Sequence, residues 1–149
     1  MKKYVSILFL LAIVISACGS GGNPAPADLP QTLLVTGEGQ ETSYTVADLE
    51  ALGSSEAAFS DVTYKGVPLS ALLADAGFDA AQLKAVKALA ADGYSVNYDP
   101  ALFQRSDVLV GYAAVDGPLA DEDGIFRMVL PGEEGKLNLR MLTELQAIP

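Results

Sequence analysis

The sole cysteine of this chain, Cys18, follows a stretch that reads as an export leader, so the chain downstream of it has no second thiol. Lys2 and Lys3 supply the positive start. The apolar run from Val5 to Ile15 is too short to span a bilayer as a stable helix. Small residues, Ser16 and Ala17, precede Cys18. Cleavage there leaves residues 18–149, roughly 130 residues, enough for one compact domain and too few for two ordinary ones. No disulfide can form within it, so its core alone must hold it together. Lys2 and Lys3 leave with the leader, and seven Lys and Arg then stand against 19 Asp and Glu, a formal charge of about −12. That charge argues against nucleic acid and against docking on anionic headgroups. The chain has no His. This excludes Ser-His-Asp and Cys-His mechanisms and the commonest metal ligand. The single Cys excludes thiolate zinc sites. Carboxylates, Tyr, Lys, Arg and hydroxyls remain.

Ile15-Ser16-Ala17-Cys18 resembles the lipobox of bacterial lipoproteins, whose cysteine is acylated and becomes the mature N-terminus. The resemblance implies a membrane anchor through Cys18, on the extracytoplasmic side, with more than one acyl chain. Gly19 rather than Asp after the cysteine favours an outer membrane where the cell has one, and the cell membrane otherwise. Residues 1–17 are then the leader, 18–30 a flexible tether rich in Gly, Ser, Asn and Pro, and 31–149 the domain.

The domain opens with a strand expected over Gln31 to Thr36 and a turn at Gly37-Glu38-Gly39. Thr45-Val46-Ala47-Asp48 has the form of a capping box, and Gly53 ends the short helix it begins. Phe59 to Tyr64 reads as a strand and Lys65-Gly66 as a turn. Pro68 suits the first position of a helix with the apolar face Leu69, Leu72 and Leu73, which Gly77 stops. The alanines of Ala80 to Ala91 fit a helix, but Asp92-Gly93 before Tyr94-Ser95-Val96-Asn97-Tyr98 favours a hairpin with Ala85 to Ala91 as its first strand. Asp99 caps a short helix through Phe103. Strands are expected over Asp107 to Val115 and Ile125 to Leu130. Leu137 to Ile148 reads as strand, helix or both. Hairpins interleaved with short helices give an α+β class.

From about Leu33 to Ile148 the chain resembles the molybdopterin-binding domain of the sulfite-oxidase family, in its short stand-alone bacterial and archaeal form. The resemblance is carried by Tyr64-Lys65-Gly66-Val67-Pro68-Leu69 with Leu72-Leu73 and Gly77, and by Asp92-Gly93-Tyr94. It continues in Asp107-Val108-Leu109 with Tyr112, in Gly117-Pro118-Leu119, and in Arg127, Val129, Pro131-Gly132 and Gly135-Lys136. It implies mixed β-sheets with short helices. Catalytic members ligate molybdenum through a cysteine upstream of the aromatic-x-Gly-Val segment, and the matching stretch, Ser54 to Val62, has none. Ser60 or Asp61 cannot stand in for a soft thiolate. The expected role is therefore a binding or interaction module without a cofactor. The resemblance alone carries the alternative of a molybdopterin-dependent oxidoreductase, and a partner-docking lipoprotein is a third reading. No catalytic residue and no metal ligand is assigned.

Arg127, Lys136 and Arg140 gather around the Pro131 to Gly135 loop. One reading is a pocket for a pterin phosphate or another small anion, with Gly132 and Gly135 bringing backbone N–H groups close. The commoner case is surface pairing with Glu133, Glu134, Asp121, Glu122 and Asp123. Tyr64, Tyr94, Tyr98 and Tyr112 read as core residues with hydroxyls at the rim. Asp121-Glu122-Asp123-Gly124 reads as a solvated acidic loop, because it lacks the spacing of a calcium loop. The partners expected are the membrane through Cys18 and an unidentified small anion or protein.

Overall fold

A computed structural model describes residues 29–149. The leader, Cys18 and residues 18–28 of the tether lie outside the described residues. Leu29, at the tether's end, is buried.

Strands β1 (Leu33–Gly37) and β2 (Gln40–Tyr44) form a hairpin about Glu38-Gly39. Helix α1 (Val46–Ala51) starts at the capping box expected for it. Thr45 Oγ1 accepts from Asp48 N at 3.2 Å, and Thr45 N donates back to Asp48 Oδ2 at 2.8 Å. Two orphan N–H groups of a six-residue helix are thus satisfied locally.

The next segment departs from the sequence reading. Phe59 to Tyr64 is not one strand. Strand β3 (Ser55–Phe59) and strand β4 (Val62–Pro68) fold back on each other about Ser60-Asp61. Ser60 takes the left-handed turn conformation, φ 54°, without the Gly or Asn that usually marks one. Nor is Lys65-Gly66 a turn. It lies inside β4, where the register with β7 (Leu109–Ala114) shifts. A Cβ at Gly66 would sit 2.3 Å from the Val110 carbonyl oxygen, so the glycine is there for close backbone approach. Pro68 closes β4 and caps α2 (Leu69–Asp75), whose Leu69, Leu72 and Leu73 are fully buried.

Strands β5 (Ala85–Ala90) and β6 (Ser95–Tyr98) form the hairpin expected about Asp92-Gly93. Asp99 caps α3 (Pro100–Phe103) through a 3.0 Å bond from Leu102 N. Strands β8 (Gly117–Pro118) and β9 (Arg127–Val129) both pair with β7. The tail resolves into irregular chain followed by strand β10 (Leu142–Ile148).

Two five-stranded sheets result. One runs β2-β1-β10-β5-β6, with β1 and β10 parallel at its centre. The other runs β3-β4-β7-β8, with β9 also on β7. Leu33, Val35, Val86 and Leu145 of the first sheet share one core with Val67, Val110 and Met128 of the second and with the α2 leucines. Ala57, Tyr64, Leu109 and Val129 form a smaller cluster. This is the α+β arrangement expected.

Candidate functional site

Arg127 sits in β9 between Phe126 and Met128, in a run of residues that are all buried. The residue is 1% exposed. A charge held there must be paired to be tolerated. Nη1 donates to Asp123 Oδ1 and to Tyr64 Oη, both at 2.7 Å. Nε reaches Met128 O at 3.3 Å and Nη2 reaches Asn138 O at 3.5 Å. The guanidinium lies over the Tyr64 ring at 4.4 Å and faces the Phe59 ring at 5.6 Å. Tyr64 Oη in turn donates to Asp123 Oδ2 at 3.4 Å. Burial pushes the Tyr64 phenol up, and Arg127 beside it opposes that shift.

Asp123 corrects the reading of an acidic loop wholly in solvent. Asp121 and Glu122 are exposed, but the 3-10 turn Asp121–Asp123 swings Asp123 inward to 4% exposure. It also takes a second cation, Arg140 Nε, at 3.3 Å from Oδ1. The pairing of Arg127 with Asp123 is therefore a buried one rather than a surface balance. Among the described residues, no buried side-chain polar atom lacks a partner.

A cleft of about 560 Å³ opens beside this network, and Arg127, Lys136, Arg140, Asp92, Tyr94 and Glu122 contribute to its walls. A second hollow of about 380 Å³ adjoins it and shares Phe59, Ser60, Glu122, Arg127 and Arg140. The structure thus brings Arg127, Lys136, Arg140 and Gly135 to one place. Gly132 is not part of that wall, and its φ of 78° serves the turn after Pro131. The three cations differ in what they offer. Arg127 is consumed by its buried contacts. Lys136 Nζ pairs with Glu134 at 2.7 Å in open solvent, a contact worth little. Arg140 is mostly exposed and meets Asp123 only through Nε, while its two terminal nitrogens have no protein partner among the described residues.

The segment 131–138, which brings Gly135, Lys136 and Asn138 to the cleft, is held from three sides. Arg105 forks onto Asp107 with two 2.9 Å bonds, and reaches Glu133 and the Pro131 carbonyl at 2.8 Å each. Its hydrogen bonds hold the Asp107 carboxyl below the usual range. This contribution to stability is present above the ordinary carboxylate pKa and is lost as pH falls through the depressed one. Tyr94 Oη donates to Lys136 O at 3.0 Å, and the fully buried Tyr98 donates to Leu137 O at 2.7 Å. Asn138 Oδ1 accepts from Leu130 N at 2.7 Å, while Nδ2 donates to Leu130 O and Glu134 O. Replacing Asn138 with Leu strands the buried Leu130 N–H and should lower stability by about 2 kcal/mol. Urea unfolding reads the loss, and a change below a few tenths of a kcal/mol would refute the clamp.

Sequence reasoning assigned no role to Arg105 or Asn138 and did not pair Asp123 with Tyr64. One signal was available. A lone Arg inside the apolar run Ile125 to Leu130 requires a buried counter-charge nearby. Among the described residues, no group of three His, Cys, Asp or Glu is placed to hold a metal ion.

A family model described as oxidoreductase molybdopterin binding domain matches residues 28–149. Among curated proteins nothing matches. Of solved structures, 29 chains match. One belongs to the crystal structure of the sulfane dehydrogenase SoxCD from Paracoccus pantotrophus, with a TM-score of 0.68 and 20% identity. The alignment covers 86% of this chain and 40% of that one, so this chain spans well under half of that neighbour's length. At that identity the likeness is one of fold.

Proposed function

The chain belongs to the oxidoreductase molybdopterin-binding domain family, and from that premise we propose that it is a lipid-anchored extracytoplasmic module that binds a small anion without metal catalysis. The family description raises the question of whether the residues here fit a molybdenum-bearing pterin. On the metal side they do not. The chain's one cysteine is Cys18, so no thiolate exists between Ser54 and Val62 or anywhere else in the domain. Oxygen or nitrogen donors do not replace a soft sulfur ligand. The most buried cation at the cleft, Arg127, is already paired and stacked. No reaction step is therefore assigned to the group.

The observation that carries anion binding is Arg140. Asp123 draws its Nε to within 3.3 Å, while the outer nitrogens remain available to an oxyanion in the fork geometry that suits carboxylate or phosphate. Lys136, across the same cleft, adds a second positive charge. The lipid anchor rests on Cys18 and its lipobox-like context.

Two measurements test this reading. Mature protein exported by a host that makes the cofactor should contain neither molybdenum nor releasable pterin, and about one molybdenum per chain would overturn the non-catalytic role. Inorganic phosphate, titrated by calorimetry, should bind, and Arg140→Gln should weaken it by roughly tenfold or more. Equal binding by both proteins would remove Arg140 from the site.

A further inference from the structure

We infer that the cleft opens at the membrane-facing end of the domain, so this face looks toward the lipid surface across a gap. The inference rests on the lipid-anchor reading above. It adds an orientation drawn from how the chain enters the fold.

The first sheet has two distinguishable ends. Strand β10 begins at Leu142 opposite Ala90 and finishes at Ile148 opposite Ala85. At its starting end, Met141 N donates to Asp123 O, and Ala91 N donates to Met141 O. Ala90, Asp92, Glu122, Arg140 and Met141 all line the cleft, so the cleft lies at this end. At the finishing end, Lys84 N donates to Ile148 O, and Gly37 abuts Ala147 and Phe78.

Leu29 decides which end faces the anchor. It is 6% exposed, and its Cδ1 packs beside Gly124 together with Met141. The chain therefore enters the domain at the rim of the cleft. From Cys18 to Leu29 a fully extended chain spans at most about 40 Å. The far end of β10 lies about 20 Å further along the strand axis. The net negative charge of the mature chain, seven Lys and Arg against 19 Asp and Glu, opposes adhesion to anionic headgroups and favours a gap between domain and bilayer. A ligand then reaches Arg140 through that gap.

Acylation occupies the Cys18 sulfur, so one introduced cysteine is a unique dye site in the lipidated mature protein. Dyes at Glu122→Cys and, independently, Asp92→Cys mark the cleft end, and Lys84→Cys marks the opposite end. Energy transfer to acceptor-labelled headgroups in phosphatidylcholine vesicles should be roughly twofold higher from the first two, given the separation of about 20 Å. Equal transfer, or more from Lys84→Cys, overturns the orientation. Mass spectrometry of the Cys18 peptide separates the two ways to fail. An acylated peptide with reversed transfer sinks the orientation alone, and an unacylated peptide sinks the anchor and the orientation together.

Discussion

Arg127→Met should lower the unfolding free energy by about 3 kcal/mol, toward the lower end of what breaking a buried ion pair costs. The substitution leaves Asp123 buried with one remaining cation. That cation, Arg140, is mostly exposed and 3.3 Å away. It also removes the group stacked on Tyr64 and facing Phe59, so two rings lose their contact as well. Arg127→Lys keeps the charge but not the geometry that touches Asp123 and Tyr64 from one nitrogen, so it should fall between wild type and Met. The double change Arg127→Met with Asp123→Leu should recover much of the loss, because no unpaired buried charge then remains and Arg140 stays solvated. Urea unfolding of a Cys18→Ser chain, arranged as a double-mutant cycle, reads all of these. A loss below 1 kcal/mol for Arg127→Met would mean that solvent reaches Asp123 and that the site is not the sealed network described.

Gly66→Ala is expected to be comparably severe, about 3 kcal/mol, or to prevent folding. The added methyl would meet the Val110 carbonyl oxygen at 2.3 Å, the Val110 carbonyl carbon at 2.8 Å and Gly111 Cα at 2.9 Å. All three are backbone atoms, so no rotamer change relieves the clash. Strand β7 would have to move, and it carries β4, β8 and β9. Gly93→Ala is the control. Its φ of 88° strains any side chain, but nothing lies within 4 Å, so the loss should stay near 1 to 2 kcal/mol. Equal losses in the two variants would show that backbone conformation, not strand separation, explains both glycines.

These two positions also show what could be read before the fold was seen. Short-range chemistry was legible. Thr45 with Asp48, Asp99 before Pro100, and Asp92-Gly93 each act through atoms a few residues apart, and each forms as expected. The Leu69, Leu72 and Leu73 face was legible for the same reason, since helical period alone defines it. Gly66 misled because its neighbour in space is Val110, and local sequence offers only the turn habit of Lys-Gly. The Ser60 turn was hidden by bulky residues on both sides. At the site, the position of the cations around one loop was legible, but their inequality was not. Which of them is consumed depends on Tyr64, which lies 63 residues from Arg127 in sequence and meets it only when β4, β7 and β9 align.

The parallel pairing of β1 with β10 bears on biosynthesis and on trimming. The central strand of the first sheet is made after the other four strands of that sheet, and it lies between Leu33–Gly37 and Ala85–Ala90. A nascent chain lacking Leu142–Ile148 carries two bare inner edges where the finished protein has a continuous ladder, and such edges recruit other chains. Closure spans nearly the whole domain in sequence, which slows folding and lengthens that exposure. Removing Leu142–Ile148 should therefore split a sheet rather than trim its edge.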